Sequence, residues 1–411
     1  MGDHTGEKAR IASLMACLLA LESEADAAKA AKERIKQQIL FSNSLLCALE
    51  LSEKACDRSI WAFRRNERWF EGTVPHLGEQ NFKQSFRVYP STFRFIVESL
   101  RSELERQCTN MREAITPEKR VGIALYKLCS SAEDRTVANL FGVGRSTVNT
   151  LYRQFCEAVV AVLEHEWIKM VTPEEIARHI QEFEAVTGFR QGVGALDGCH
   201  FPISPPKEHA TDYYNYKGWY SIILLALVDH RYRFRYINVG APGRCHDSHV
   251  FGYSQISNAI KGPLFKAPLA TIAGTVVPPL ILCDQAFALA PSLMKPFGHR
   301  GKISESEKKF NYHLSSARRI VENAFGRLKA RFRFTAKRME CHVGNARLVI
   351  RACCVLSNIC EHFNDNVHPQ WLNEVQQSDV DFPQPSCTTE VQVGNAADIR
   401  AALVDYYSQV N

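Results

Sequence analysis

The stretch VGALDGCHFPI, residues 193–203, decides the fold because it joins a short apolar segment to a single acidic residue. Val193 to Leu196 are small or apolar, and Asp197 follows them directly, before Gly198. A carboxylate beside a buried strand is costly unless a cation or a hydrogen-bond donor compensates its charge. The segment therefore predicts a β-strand that presents an acid at a functional site.

The segments that follow extend this strand into a sheet with helices. SIILLALVD (residues 221–229) is continuously apolar, which is typical of a strand buried on both faces. RYRFRYINV (residues 231–239) alternates between polar and apolar positions, which predicts a half-exposed strand paired with its predecessor. Residues 279–283 predict another buried strand, and helical patterns return at residues 315–330 and 343–363. We therefore predict an α/β fold built on a mixed sheet.

Two further acids occur in comparable contexts. Asp284 follows the apolar run LILC, and Glu322 lies at the border of the apolar stripe of a helix. If the strands before Asp197 and Asp284 are parallel neighbours, both carboxylates project from strand ends at the carboxyl edge of the sheet. Asp247, within PGRCHDSH, is either the N-cap of a helix or a fourth member of the group. For each acid taken alone, a cap or turn role is the alternative.

This number of carboxylates suits a pair of divalent cations, Mg²⁺ or Mn²⁺. Each Mg²⁺ is commonly held by one or two carboxylates, with water and phosphate oxygens completing the shell. Two such ions about 4 Å apart can activate a water and stabilise the leaving oxygen of a phosphodiester. We therefore predict metal-dependent cleavage with Asp197, Asp284 and Glu322 as catalytic residues and with Asp247 as a further metal ligand.

Basic charge is concentrated around Glu322. Residues 295–351 contain 15 Lys and Arg against 4 Glu, whereas residues 371–411 contain six acidic residues and one Arg. The net charge of +6 alone is weak evidence for a nucleic-acid partner, but this distribution favours phosphate-backbone binding. A solvated surface helix is the alternative. The predicted DNA contacts here are Arg318, Arg319, Arg327, Lys329, Arg331 and Arg333, with Lys217 in an aromatic-rich loop.

Residues 133–149 predict a helix-turn-helix. Two short helical patterns flank Gly142-Val143-Gly144, and Ser146 is the expected N-cap of the second helix. This arrangement would place Arg145, Thr147 and Asn149 near a DNA groove. A helical hairpin without DNA contact is the alternative.

Length and composition predict a multi-part globular protein. At 411 residues with 45% hydrophobic content, the chain exceeds one average domain and is not of the disordered class. We divide it into an N-terminal helical arm (1–60), a helical region with the helix-turn-helix (61–165), the α/β domain (185–362) and an acidic C-terminal tail (363–411). The Ala- and Leu-rich arm suggests packing or oligomerisation.

The ends and the cysteines indicate an intracellular location. Residues 1–10 are polar, which argues against a secretory signal, and the longest apolar run, residues 221–228, is strand-sized. The fourteen cysteines include no CxxC pair and are scattered through apolar runs. We therefore expect buried, reduced thiols rather than a disulfide framework.

Five ordered motifs resemble those of the PIF/Harbinger transposases and of the domesticated Harbinger-derived nucleases of animals. The resemblance covers about residues 115–362 and implies an RNase H-like core with a DDE triad of Asp197, Asp284 and Glu322. It also implies that Asp247 is an additional metal-associated acid. Around the second acid, Cys283 and residues 285–287 depart from the usual family pattern. The motifs are LDGCHFPI (196–203), YNYKGWYS (214–221), PGRCHDSHVF (242–251), LCD (282–284) and RRIVENAFGRLKARF (318–332).

The resemblance implies a nuclease or transposase that nicks DNA and transfers the freed 3′ hydroxyl to a target. It further implies a separate Myb-like DNA-binding partner and a nuclear location, with the cytoplasm and a homo-oligomer both left open. Two rival functions remain: a catalytically silent DNA- or chromatin-binding adaptor, and an RNase that acts on hybrid duplexes. The intact acids favour the nuclease, because a binding-only protein has no physical need for clustered charges.

Overall fold

The structure is a computed structural model that describes residues 4–53, 69–108, 113–298 and 303–409. The chain divides into two compact units, residues 1–64 and residues 65–411. In chain order, the helices and strands of the described residues are α1 (His4–Glu53), α2 (Gly78–Phe86), α3 (Pro90–Leu104), α4 (Pro117–Ser130), α5 (Asp134–Phe141), α6 (Arg145–Ala158), α7 (Glu164–Trp167), α8 (Ile176–Thr187), β1 (Gly192–Pro202), α9 (Ala210–Tyr213), β2 (Ser221–Val228), β3 (Phe234–Pro242), α10 (Asp247–Gly252), α11 (Gln255–Ala259), β4 (Ala270–Ile272), β5 (Thr275–Val277), β6 (Leu280–Cys283), β7 (Leu293–Met294), α12 (Glu305–Arg331), α13 (Val343–His362), α14 (Pro369–Asp381) and α15 (Ala396–Gln409).

The first unit contains one long helix, α1, of 50 residues. From residue 7 to residue 53 the sequence has no Gly or Pro, so no residue type that breaks helices interrupts it. The helix is rich in Ala, Leu, Lys and Glu, which lose little side-chain entropy in a helix. Several large apolar side chains of α1 are exposed.

The second unit begins with a helical region that contains the predicted helix-turn-helix. Helix α5 ends where Gly142 takes the left-handed φ of 68°, and α6 begins after Gly144. Gly144, not Ser146, is the N-cap of α6, and no side chain caps it. The expected Ser146 cap is therefore wrong, because the helix begins at Arg145 and Ser146 already lies within its first turn.

A five-stranded mixed sheet follows, in the order β3-β2-β1-β6-β7. Strands β1, β2 and β3 pair antiparallel, whereas β6 pairs parallel with β1 and with β7. Every residue of β2 is buried, in agreement with its continuous apolar run, and most residues of β3 are half-buried. The sheet and its helices are consistent with the predicted RNase H-like α/β class. Strands β4 and β5 form a separate two-stranded hairpin.

Helices cover both faces of the sheet. Because side chains alternate along β2, Leu224 and Ala226 share a core with residues of α12 and α13, whereas Ile223 and Leu225 share a second core with residues of α8. Helix α12 packs on β1, and α13 packs on β3. Burial on both faces fixes the strand register, since a shift of one residue would exchange the two apolar sets.

Helix α13 is a longer mainly apolar segment than the strand-sized run at residues 221–228. By length and composition it is long and apolar enough to span a membrane, yet 72% of its most apolar window is buried inside the fold. It therefore serves as a core helix. Five cysteines that lie in apolar runs are also buried, and the described residues form no disulfide. These five are Cys129, Cys156, Cys283, Cys353 and Cys354.

The segment predicted as an acidic tail is part of the fold. Helices α14 and α15 both pack against α12. The Tyr407 ring is buried in α15, where its hydroxyl donates to the Gly188 carbonyl oxygen at 3.2 Å and accepts from the Arg190 amide at 2.9 Å. The acidic side chains of α15 lie on its exposed face. The net charge of the segment therefore did not predict that the opposite face is buried.

Candidate active site

Asp197 and Asp284 lie on adjacent strands at the point where parallel pairing ends. The last parallel pair joins Leu196 to Cys283, and each of the two acids is the next residue in the sequence. Asp284 directly follows β6, as predicted. Asp197 is not at a strand end, however, because β1 continues to Pro202 in antiparallel pairing with β2. Asp197 thus lies inside β1, at the edge that β6 leaves open.

Arg318 joins Glu322 to this pair. One nitrogen of the Arg318 guanidinium, Nη1, donates to Asp197 Oδ2 at 2.8 Å, and the other, Nη2, donates to Glu322 Oε1 at 2.5 Å. Arg318 and Glu322 are four residues apart on α12, so they share one helix face. Helix α12 packs on β1 and therefore delivers the third acid to the sheet from a distant part of the sequence.

Asp247 completes the group from a fourth segment. It is the first residue of α10 and makes no capping bond, so the predicted N-cap role is wrong: His246 holds the N-cap position. Asp247 is 8% exposed, and its Oδ1 has no hydrogen-bond partner among the residues that the structure describes. A Cβ atom at position 198 would lie 2.1 Å from that oxygen, so Gly198 makes room for the carboxylate against β1.

The acids raise one another's pKa values in a partly dehydrated site. Burial raises the pKa of Asp197, and the charges of Asp284 and Asp247 add to this effect against the opposing Arg318. Burial and the charge of Asp284 raise the pKa of Asp247 to about 7. Burial also raises the pKa of Asp284, against a hydrogen bond from the Ala286 amide and the charge of Arg318. Burial is the largest cause of all three shifts, and it disfavours the charged form of each carboxyl.

The donor set fits a divalent cation. Carboxylate oxygens are the ligands that Mg²⁺ and Mn²⁺ prefer, and an unpaired buried oxygen such as Asp247 Oδ1 is costly unless a cation meets it. Among the described residues, no three side chains of the ligating types converge closely enough to hold an ion in this conformation. Arg318 supplies the compensating charge here instead.

The C-terminal segment 382–393 runs beside the acids, which sequence reasoning missed. Gln384 Oε1 accepts from the His200 amide at 2.8 Å, and its Nε2 donates to the His200 carbonyl oxygen at 3.3 Å. The Tyr216 hydroxyl donates to the Ser386 carbonyl oxygen, and the Thr389 amide donates to the Gln285 carbonyl oxygen. Because Gln285 directly follows Asp284, the bond from Thr389 brings this segment next to one of the acids. Burial, with the charges of Cys387, Asp247 and Asp284, raises the pKa of Tyr216 to about 12. No pattern in the polar segment indicates these contacts.

The predicted DNA-binding residues separate into accessible and inaccessible groups. Arg145, Asn149, Lys217 and Arg319 are exposed and Thr147 is half-buried. Arg145 lines a cleft of about 610 Å³ that also includes Lys337 and Arg338. Arg318 is engaged by the acids.

Arg331 and Lys329 cannot contact DNA as predicted. Arg331 is 1% exposed, forms an ion pair with Asp365 and donates to the Arg87 carbonyl oxygen. Lys329 is 5% exposed, with its ammonium 5.8 Å from the centroid of the Phe201 ring. Both side chains lie on the buried side of α12, and burial excludes a phosphate partner.

Two further arginines of this cluster are held by acidic partners. Arg327 forms a two-pronged pair with Glu361, with nitrogen–oxygen distances of 2.9 and 2.8 Å. Arg333 pairs with Glu374 at 3.2 Å and keeps about a third of its side chain exposed. The predicted phosphate surface is therefore smaller than the charge count suggests.

Comparisons with known proteins show which proteins this chain resembles. The family described as DDE superfamily endonuclease matches residues 196–358. The protein named antagonist of like heterochromatin protein 1 from Arabidopsis thaliana is 26% identical over 325 residues, which cover 76% of this chain and 80% of that protein. The Arabidopsis thaliana protein ALP1-like is 27% identical over 326 residues, with 75% and 77% covered.

A human relative extends the agreement to animals. The Homo sapiens protein named "Putative nuclease HARBI1" is 26% identical over 292 residues, which cover 69% of this chain and 79% of that protein. No solved structure matches the chain. The matched region contains strands β2, β3, β6 and β7, most of β1, and the three acids predicted as a triad. Residues 196–358 are therefore similar to the DDE superfamily endonucleases, and the resemblance to the Harbinger transposases and their domesticated relatives is confirmed.

Proposed function

We propose that this chain is a divalent-metal-dependent DNA endonuclease of the transposase type. The observation that carries the proposal is the acidic group around the buried Asp247, whose Oδ1 has no hydrogen-bond partner among the described residues and lies where Gly198 leaves space for it. Asp197, Asp284 and Glu322 are the proposed catalytic acids, and Asp247 is a further ligand. When bound, Mg²⁺ or Mn²⁺ would supply the charge that activates a water and stabilises the leaving oxygen of a phosphodiester.

The chain's own residues supply positioning and charge. Asp197 and Asp284 stand on a rigid sheet, and packing of α12 on β1 holds Glu322 beside them. Arg318 balances the acids while no cation is bound, because its guanidinium bridges Asp197 and Glu322. Lys217 and Arg319 are exposed and available for the DNA backbone, and Arg145, Thr147 and Asn149 are the proposed contacts of the helix-turn-helix.

The wider role that we propose follows from the same fold. Strand transfer by the freed 3′ hydroxyl would use the same acids as the first cut. The proposed partners are DNA, a Myb-like DNA-binding protein and a second copy of the chain, and the proposed location is the nucleus. The match to relatives whose names denote a nuclease supports the DNA substrate.

A plasmid-nicking assay tests the proposal. We expect the purified chain to convert supercoiled DNA to the open circle in Mg²⁺ or Mn²⁺ but not in EDTA. Asp284→Ala, Asp197→Asn and Glu322→Gln should each lower the rate roughly a hundredfold or more, since even outer-shell changes at metal sites cost 10–100-fold. Glu305→Gln is the matched control for Glu322, because Glu305 lies on the same helix with a side chain 85% exposed.

The outcomes separate the functions. Equal nicking by the wild type and all three variants would refute the assignment of these acids. Cleavage of an RNA–DNA hybrid but not of plasmid DNA would support the hybrid-duplex RNase. Wild-type protein that binds DNA and does not nick it, with or without added Myb-like partner, would support the adaptor.

The adaptor remains a second candidate because two observations favour it. One relative's name describes an antagonist of a heterochromatin protein. The chain itself also supplies a cationic partner for Asp197 and Glu322, the guanidinium of Arg318. Titration with Mn²⁺ distinguishes the two candidates. If the chain is a nuclease, it should bind Mn²⁺, and Asp247→Asn should weaken that binding. If it is an adaptor, Asp247→Asn should not change the affinity for Mn²⁺.

A further inference from the structure

Helix α1 carries an apolar stripe with the repeat of a coiled coil. With position a of the heptad placed at residue 11, positions a and d recur alternately three and four residues apart as far as residue 49. Ten of these twelve positions are apolar, and the two exceptions are Lys32 and Ser42. The apolar members are Ile11, Leu14, Leu18, Leu21, Ala25, Ala28, Ile35, Ile39, Leu46 and Leu49.

The described part of this stripe is exposed to solvent. Leu18 and Leu21 are 57% and 62% exposed, and Ile35 and Ile39 are 57% and 55% exposed. A row of large apolar side chains in water marks an interaction surface. Helices also gain most of their stability in proteins from packing an apolar face, so a helix of 50 residues needs a partner along its length.

We propose that α1 pairs with α1 of a second copy of this chain in a parallel, in-register two-stranded coiled coil. The repeat extends for about six heptads, beyond the three to four that support a coiled coil. Lys32 at an a position agrees with a dimer, because a single polar residue there specifies register and oligomeric state at some cost in stability. This inference does not depend on the proposed nuclease activity.

Charge complementarity supports the parallel orientation. In an in-register dimer, position g of one chain faces position e of the next heptad in the other. Glu24 at g would therefore face Lys29 of the partner subunit, and two-fold symmetry forms this pair twice. Gln38 at g would likewise face Asn43 of the partner subunit, which matches two amides that can hydrogen-bond.

Sedimentation equilibrium on the full chain tests the pairing. We expect a mass of twice 46.5 kDa at micromolar concentration. Leu18→Asp and Ile39→Asp place charges in the stripe and should give monomers. Leu19→Asp and Leu40→Asp are matched controls at b positions, with 66% and 59% exposure in the wild type, and should remain dimeric. Circular dichroism should show the main thermal transition unchanged in all four variants, because these side chains are exposed.

A charge swap tests the orientation. Glu24→Lys and Lys29→Glu should each weaken the dimer roughly threefold or more at low salt, and the double variant should restore it. In an antiparallel dimer, position g of one helix faces position g of the other, so the double variant would not restore the stability of the dimer. A monomeric wild type at tens of micromolar, or equal effects of Leu18→Asp and Leu19→Asp, would overturn the proposal. Failure of the double variant would overturn the parallel arrangement.

Discussion

At the scale of single residues, Asp247 shows how one glycine creates room for a charge. Gly198 has no side chain, and the Asp247 carboxylate lies where a Cβ atom of residue 198 would be. The charge is then buried without a partner for Oδ1, which raises the pKa of the carboxyl to about 7. This residue has therefore been placed at a cost in stability, as is common at functional sites.

We expect Asp247→Asn to stabilise the metal-free protein while lowering nicking. Because the pKa of Asp247 is raised in the folded state, its contribution to stability is present below about pH 4 and is lost as the pH rises from about 4 to about 7. At pH 8 in EDTA, the free energy of unfolding in urea should rise by roughly 1–3 kcal/mol.

Asp405→Asn is the control for that measurement, because Asp405 is exposed on α15. It should change the free energy of unfolding by less than about 0.5 kcal/mol at any pH. A less stable Asp247→Asn variant at pH 8 would show that the carboxylate is well compensated without a metal.

The acids could be predicted one by one, but the accessibility of the arginines could not be predicted from charge. Asp197 and Asp284 each follow an apolar run, and that local context survives in the fold. Arg331 lies three residues after Leu328 and ten after Val321, so helical periodicity alone places it on the buried stripe. Counting Arg331 with the other basic residues of this region took no account of its buried position.

At the scale of elements, the informative mismatch is between β1 and β6. Strand β1 runs to Pro202, whereas its parallel pairing with β6 ends at Leu196. Beyond Leu196, the edge of β1 that faced β6 leaves backbone groups without a strand partner. The side-chain amide of Gln384 forms hydrogen bonds with the backbone amide and the carbonyl oxygen of His200 at this edge. Asp197 was expected at a strand end, but β1 continues past it, and the partner of the continuing edge lies 184 residues away in the sequence.

We expect Gln384→Ala to loosen segment 382–393. The variant loses two hydrogen bonds to the buried edge of β1, so the free energy of unfolding should fall by roughly 1–2 kcal/mol. Hydrogen exchange followed by mass spectrometry should show faster exchange at residues 199–201 and 385–393. Gln370→Ala on the exposed face of α14 is the control. Unchanged exchange would mean that the contacts of Trp219 and Tyr216 suffice to hold the segment.

At the scale of the whole molecule, Asp365 ties the helical region that precedes the sheet to helix α12. Its buried carboxylate pairs with Lys83 of α2 at 2.9 Å and with Arg331 of α12 at 3.3 Å. It also accepts from the Tyr89 amide at 2.6 Å and from the Thr92 hydroxyl of α3 at 3.1 Å. One side chain thus connects helices that precede the sheet with the helix that carries Glu322.

We expect Asp365→Asn to destabilise the second unit strongly. Removing the acid leaves two buried cations without their partner, which costs about 3–5 kcal/mol. Thermal unfolding followed by circular dichroism should show the loss as a lower transition temperature, and Asp405→Asn again serves as the control. A loss below about 1 kcal/mol would mean that water enters the cluster and replaces the carboxylate.

The order of strands and helices could be predicted because each segment carries its own periodicity. The role of residues 363–411 was harder to predict, since seven acids and several prolines suggest a solvated end. Ile399, Leu403 and Tyr407 nevertheless share one face of α15 and are buried. This segment is part of the fold because it packs against residues that are distant in the sequence, and local sequence patterns do not predict such packing.

Tyr407 and the helix around it have a practical consequence for expression. A shortened gene that stops near residue 362 would retain the three acids of the triad and all of the matched region. It would also strip the cover from Phe189 and Phe310, whose rings lie 5.4 and 6.4 Å from the Tyr407 ring. Such a fragment should emerge from cells as inclusion bodies, and a fusion tag is better attached by a long spacer than directly after Gln409.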